Sequence, residues 1–210
     1  MFSALVTGNS IQANAVADGL NELFGIEEWL GGLIVAVLVF IVIIGGIKSI
    51  GGVAEKIIPF MAATYIIMAV LALILNFGDL PATFGLIFNG AFNTQAATGG
   101  FLGAAIMLAI RAGVARGLFS NEAGQGSTPI AHAVAQTNDP EQQGRMAMLG
   151  TFIDTIVICT MTALVMLTVK GDFTAGGEAV AHAWNSDLQG FAMTSGAFAA
   201  AFPFEIASVP

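Results

Sequence analysis

Asp154 stands inside the apolar run Met146–Val169, where an ionisable group needs a reason. Such a group is costly in lipid and normally faces a bundle interior or a watery cavity. Counting from Ala147 at 1.5 Å per residue, it lies about 10 Å into the run. Two roles fit it. One is a cation, proton or gating partner; the other is a structural carboxylate, paired to a neighbouring helix or bonded to nearby threonines. Thr151, three residues earlier, can share its helix face, whereas Thr155 points about 100° away. A second candidate is the polar gap Asn93-Thr-Gln-Ala-Ala-Thr-Gly-Gly100, flanked by apolar Leu80–Phe92 and Phe101–Ile110. Two half-length apolar pieces around such a gap are the pattern of a discontinuous membrane helix, whose unwound backbone offers free N–H and C=O groups to a small zwitterion. One span with an adjoining surface loop fits the same pattern. The third candidate is the amide cluster Asn9, Gln12 and Asn14 near the outer end of a helix, with Gln12 the one expected to turn inward.

Other chemistries find no footing. His132 and His182 fall on opposite sides of a membrane in the topology below, so they share no metal. Gly124-Gln-Gly-Ser127 superficially resembles a phosphate loop but lacks the lysine and the preceding strand. Ser127 and His132 have no third group to orient them as a nucleophile and base. The single Cys159 reads as a small buried or lipid-facing apolar residue, with no disulfide framework and no multi-cysteine metal site. No cluster of Lys or Arg is present to neutralise nucleic-acid phosphates. An enzyme is not expected.

The elements that must hold these residues are membrane helices. Hydrophobic residues make up 56% of the chain and charged ones 10%, far below the share of about 25% that covers a soluble domain. The apolar blocks approach the roughly 20 residues that a helix needs to cross lipid. Residues 29–47, 57–75 and 146–169 read as spans, and 80–116 as a further segment, either discontinuous or single. Between the first two, Lys48-Ser-Ile-Gly-Gly-Val-Ala-Glu-Lys56 reads as a tight, non-spanning connection. The start lacks the basic flank of a signal peptide. The opening residues and the last, Phe202-Pro-Phe-Glu-Ile-Ala-Ser-Val-Pro210, read as cut edges, so the chain is expected to be a piece of a longer protein.

Basic residues set the orientation, because Lys and Arg stay on the cytoplasmic side. Threading the spans alternately puts Lys48, Lys56, Arg111, Arg116 and Arg145 on one side and only Lys170 on the other. That assigns 117–144 to a cytoplasmic loop and 171–210 to an external one, in a multi-pass protein of the cell's inner membrane.

Arg111-Ala-Gly-Val-Ala-Arg-Gly-Leu-Phe-Ser-Asn-Glu-Ala-Gly-Gln-Gly-Ser-Thr-Pro-Ile-Ala-His132 resembles the signature of the alanine/glycine:cation symporter family. Gly8-Asn-Ser-Ile-Gln-Ala-Asn14, Ala96-Ala-Thr-Gly-Gly-Phe101 and Gly150-Thr-Phe-Ile-Asp-Thr155 support it, and Thr194-Ser-Gly-Ala-Phe198 with Phe202-Pro203 does so more weakly. The resemblance covers essentially the whole chain. It implies an all-α, leucine-transporter-type fold of five-plus-five inverted repeats, here from the end of helix three to the external loop before helix eight. It also implies sodium-driven uptake of alanine or glycine. Pocket positions carried over by motif are Gln12, Gly99, Gly100, Phe101, Ala104 and Met107. Ala104 stands where relatives can carry a bulkier residue, which leaves size selection open. Arg111, Arg116 and Glu122 sit where a cytoplasmic gate would form, or anchor the interface and cap a helix end. The resemblance places the sodium ligands mainly on helices one and eight, outside this chain. That favours a structural or gating role for Asp154 over direct ligation, and implies that this piece alone does not transport. No bound cofactor is expected. A passive channel or structural membrane subunit, with Asn93–Gly100 as a re-entrant loop, is the alternative.

The topology has a direct test. Single cysteines at Gln136 and Gln189, in the full-length protein carrying Cys159→Ala, are expected to label oppositely with an impermeant thiol reagent. Labelling of both from outside in intact, oriented cells would overturn the arrangement.

Overall fold

The computed structural model describes residues 8–92, 102–122 and 126–202, and these are mostly helical. Helices are what lipid demands, because the bilayer core offers no water to satisfy backbone N–H and C=O groups. α1 (Asn9–Phe24) and α2 (Glu28–Ile44) pack closely along each other. Small residues set that approach: a Cβ added to Gly31 would sit 3.3 Å from the Cα of Ala17.

α3 (Gly46–Leu75) runs for 30 residues, about 45 Å at 1.5 Å per residue, and contains the stretch read from sequence as a connection. The break lies instead at the Gly45-Gly46 pair, where Gly46 takes φ 71°, a region that β-branched neighbours avoid. Beyond it, Ile47, Ile50, Val53, Ala54 and Ile57 keep a three-to-four spacing, so an apolar helix face continues through the polar and glycine residues.

A 3₁₀ turn (Phe77–Asp79) leads into α4 (Leu80–Phe92), and α5 (Leu102–Ser120) follows. The proposed break at Asn93–Gly100 lies outside the described residues. After the short α6 (Ser127–His132), α7 (Pro140–Phe152) starts cleanly: Asp139 Oδ1 accepts from the Glu141 N–H at 2.9 Å, and Pro140 occupies the first turn. A π-helical stretch (Ile153–Cys159) then joins α7 to α8 (Thr160–Thr168) without interrupting the rod. Ile153, Thr155, Ile156, Val157 and Ile158 crowd β-branched side chains into that stretch, where α-helical packing is least favoured. α3 and the Pro140–Thr168 rod are long and apolar enough to cross a membrane, and α2 is a shorter apolar helix.

The segment read as an external loop is more structured than expected. β1 (Phe173–Ala175) and β2 (Glu178–Val180) form an antiparallel hairpin with Phe173 opposite Val180. Its two-residue turn is Gly176-Gly177, at φ 58° and 87°, the chemistry that a primed turn requires. This hairpin is the one departure from an all-α chain among the described residues. α9 (Gly190–Ala201) follows and packs on α1, α3 and α8. Its Ala/Gly-rich composition shows little apolar face, because neighbours take it up on several sides.

The buried seam joins α3, α8 and α9: Ala69, Ala72, Val165, Val169 and Ala201, with Leu73, Met161, Phe198 and Phe202 packed around them. Small side chains are inside, whereas Phe40, Ile44 and Phe60 are 64%, 71% and 74% exposed. That is the reverse of a soluble core and suits lipid, where close helix contact rather than water exclusion drives association. Within the seam the ring of Tyr65 meets that of Phe198 at a 54° tilt, centroids 5.4 Å apart, and its hydroxyl proton goes to Thr162, whose own proton goes to the Ile158 carbonyl at 2.7 Å. The Lys170–Asp79 ion pair links the segment after α8 to the 3₁₀ turn before α4 at 2.6 Å, but its partly exposed partners make it worth at most about 1 kcal/mol.

The seam leaves no room for larger side chains. Ala69→Leu in the full-length protein is expected to cost about 1–3 kcal/mol, lowering the thermal unfolding midpoint in detergent, while Ile44→Leu on the exposed face is expected to be near neutral. An unchanged midpoint for Ala69→Leu would count against this packing.

Candidate functional site

A cavity of about 750 Å³ opens where the start of α1, the end of α5 and the π stretch converge. From α1 it takes Asn9 and Gln12, which share a face three residues apart. Asn14 does not join them. Its Nδ2 donates to Asp18 Oδ2 at 2.9 Å, a local helix contact.

The end of α5 supplies Arg116 and Ser120, and Glu122 follows just beyond. Asn121 closes the helix by sending both its backbone N–H and its Nδ2 to the Gly117 carbonyl, at 3.2 and 2.9 Å. That leaves its Oδ1 to accept from Thr155 Oγ1 at 3.1 Å. One residue earlier, Ser120 Oγ donates to Asp154 Oδ2 at 2.6 Å. With the serine proton committed to the carboxylate, the Cys159 thiol, 3.6 Å away, is the donor toward Ser120 Oγ. Two adjacent side chains at the end of α5, its last residue and the one after it, thus grip two adjacent side chains on the π stretch.

Glu122 ends the turn at φ 51°, the left-handed region, with its N–H on the Phe119 carbonyl at 3.1 Å. Helices commonly end this way with glycine. A glutamate there carries about 1–2 kcal/mol of backbone cost, which places an acidic side chain beside the cavity. Among the described lining residues two carboxylates, Glu122 and Asp154, face one guanidinium, Arg116. Among the described residues no group of three His, Cys, Asp or Glu side chains is placed to hold a metal ion.

Of the residues singled out from sequence, Gln12, Arg116, Glu122 and Asp154 come together around this cavity. Arg111 and Met107 do not line it, and Met107 is 64% exposed. Gly99, Gly100, Phe101 and the side chain of Ala104 lie outside what the structure describes. The partner of Asp154 is Ser120 rather than Thr151, which is exposed, and Thr155 reaches Asn121 instead. Cys159, read as apolar filler, is exposed to the cavity because the π stretch turns it toward the side of Asp154. His132 contacts Gln143, and His182 lies 6.0 Å from the ring of Trp184.

Comparison with known proteins bears on this arrangement. The model of the sodium:alanine symporter family matches residues 1–209. A Methanococcus maripaludis protein named sodium/alanine symporter AgcS is 44% identical over 96% of this chain and 42% of its own length. A Bacillus sp. protein named sodium/proton-dependent alanine carrier protein is 38% identical over 80% of this chain and 37% of its own. A Bacillus subtilis protein named probable sodium/glutamine symporter GlnT is 39% identical over 86% of this chain and 38% of its own. The chain spans about two-fifths of the length of these curated relatives. No solved structure matches it.

The left-handed Glu122 makes a clear prediction. Glu122→Gly in the full-length protein is expected to keep or raise thermal stability, by up to about 1 kcal/mol, whereas Glu122→Val is expected to lower it by at least about 1 kcal/mol. Calorimetry or thermal-shift measurements in detergent check this, and equal midpoints for the two variants would remove the backbone argument.

Proposed function

The chain belongs to the sodium:alanine symporter family, and from that membership we propose that the full-length protein moves a small neutral amino acid, alanine or glycine, across the inner membrane together with sodium. The observation that carries this reading is the joint lining of one cavity by Gln12, Arg116, Glu122 and Asp154, among helices otherwise clad in outward apolar side chains. The Gln12 amide offers a donor and an acceptor to a zwitterion, and a guanidinium with carboxylates can exchange ion pairs as a gate does.

In this reading the chain supplies the central part of a five-plus-five inverted-repeat transporter, with the sodium ligands mainly on helices outside it. Gln12, with Gly99, Gly100, Phe101, Ala104 and Met107, forms the substrate pocket. Arg116, Glu122 and Asp154 form the cytoplasmic gate. Arg111, a turn and a half before Arg116 on α5, anchors the helix at the interface. The names of the relatives, which span alanine and glutamine carriers, support amino-acid transport more firmly than they support one substrate.

Uptake by the full-length protein in proteoliposomes is expected to be saturable in alanine or glycine and driven by an inward sodium gradient. Linear, sodium-independent flux would favour a channel instead. Gln12→Ala is expected to weaken substrate binding by about 1.5–3 kcal/mol, roughly 10- to 150-fold in Kd, with near-normal expression. An unchanged Kd would take Gln12 out of the pocket.

A further inference from the structure

We propose that the two side-chain bonds from the end of α5 to the π stretch, Ser120 to Asp154 and Thr155 to Asn121, form a clasp that opens and closes with each transport cycle, Ser120 and Asn121 acting as positioning residues. The proposal rests on the transport reading above and goes further, by naming the contact whose release sets the rate.

Three observations carry it. The first is the pairing itself. Both bonds join residues 34 apart in sequence and run in the same register, so they make and break together. The second is that, among the described residues, few other contacts join the two elements. The cavity lies beside the clasp, and the buried seam of α3, α8 and α9 is farther along the same rod. Two hydrogen bonds are strong enough to define a state and weak enough to be exchanged for contacts to substrate or ion.

The third observation is the helix geometry under the clasp. In an α-helix residues five apart point about 140° away from each other. In the π stretch, i→i+5 bonding stacks them more nearly one above the other. That is why Asp154 and Cys159, five apart, both reach the Ser120 hydroxyl, at 2.6 and 3.6 Å. A return of Ile153–Cys159 to α bonding would swing Cys159 away from Asp154, and Ser120 could then keep at most one of them. The β-branched residues of the stretch hold the two bonding patterns close in energy, since they weaken the α form. The contact between Ser120 and Cys159 therefore reports whether the clasp is closed.

Cys159 supplies the probe. In the full-length protein with its other cysteines replaced, Ser120→Cys is expected to form an intrachain disulfide with Cys159 under copper–phenanthroline. Loss of maleimide labelling reads the bond. Sodium and alanine together are expected to change the rate of crosslinking by about fivefold or more, and the crosslinked protein is expected to lose sodium-driven uptake by about tenfold until a reductant restores it. Undiminished uptake by the crosslinked protein, or a crosslinking rate indifferent to sodium and alanine, would overturn the clasp while leaving transport intact. Lack of sodium-driven uptake in the wild type would instead count against the transport reading, and the response of crosslinking to sodium or alanine would then decide the clasp alone. A second arm covers a cysteine variant that does not fold. Ser120→Ala is expected to lower the maximal uptake rate about tenfold with little change in KM, and Ser120→Thr, which keeps the hydroxyl, to restore most of it. Equal losses in the two variants would overturn the proposal.

Discussion

The contact of α3, α8 and α9 through alanine and valine is the constraint that positions everything else in the described chain. In lipid there is no solvent to squeeze helices together, so contact must come from close packing, and close packing needs side chains that take little space. Ala69, Ala72 and Ala201 meet that need, and Val165 and Val169 fill what remains. Because α8 is one end of the rod that begins at Pro140, anchoring α8 in the seam also fixes the π stretch on the same rod. Asp154 is therefore held at a set place in the membrane by residues more than two turns away.

The polar groups follow a complementary logic. Tyr65 and Thr162 pass their protons along a short chain that ends on the Ile158 carbonyl, so a tyrosine inside an apolar rod has its hydroxyl satisfied. At the cavity the same economy is used differently. Asn121 divides its amide between its own helix and Thr155, and Ser120 serves Asp154 and Cys159 at once. Each of these bonds joins different elements or ends a helix, so the network is both local capping and tertiary contact.

Much of this was legible in the sequence, because lipid makes its demands through composition. The apolar blocks announced long apolar helices, Asp154 stood out against them, and the long motif from Arg111 to His132 pointed to the family. The misreadings have physical causes. Lys48–Lys56 reads as a connection because its polar and glycine residues outweigh the apolar spacing from Ile47 to Ile57, which the helix obeys. The Gly176-Gly177 hairpin carried its turn signal in plain view, but three-residue strands give too little alternation to confirm it. α9 offered almost no periodicity, since a helix packed on several sides needs none. The partners of Asp154 were beyond reach, because nothing local connects positions 34 residues apart. α-Helical spacing points to Thr151, and the π stretch is what that spacing does not foresee.

The π stretch also changes the phase of the rod. Asp154 and Val165 are eleven residues apart, which in an unbroken α-helix would place them only about 20° apart around the axis. A carboxylate on that bearing would face the same side as the seam with α3 and α9, whose buried core is Ala69, Ala72, Val169 and Ala201. The wider turns between Ile153 and Cys159 add rotation between the two halves, so that one half can present Val165 to the seam and the other Asp154 to α5. One continuous rod thereby acts as two faces set at an angle, an apolar one for assembly and a polar one for the cavity. Any residue inserted into or removed from this stretch would turn one face relative to the other, even if no side chain in either were altered.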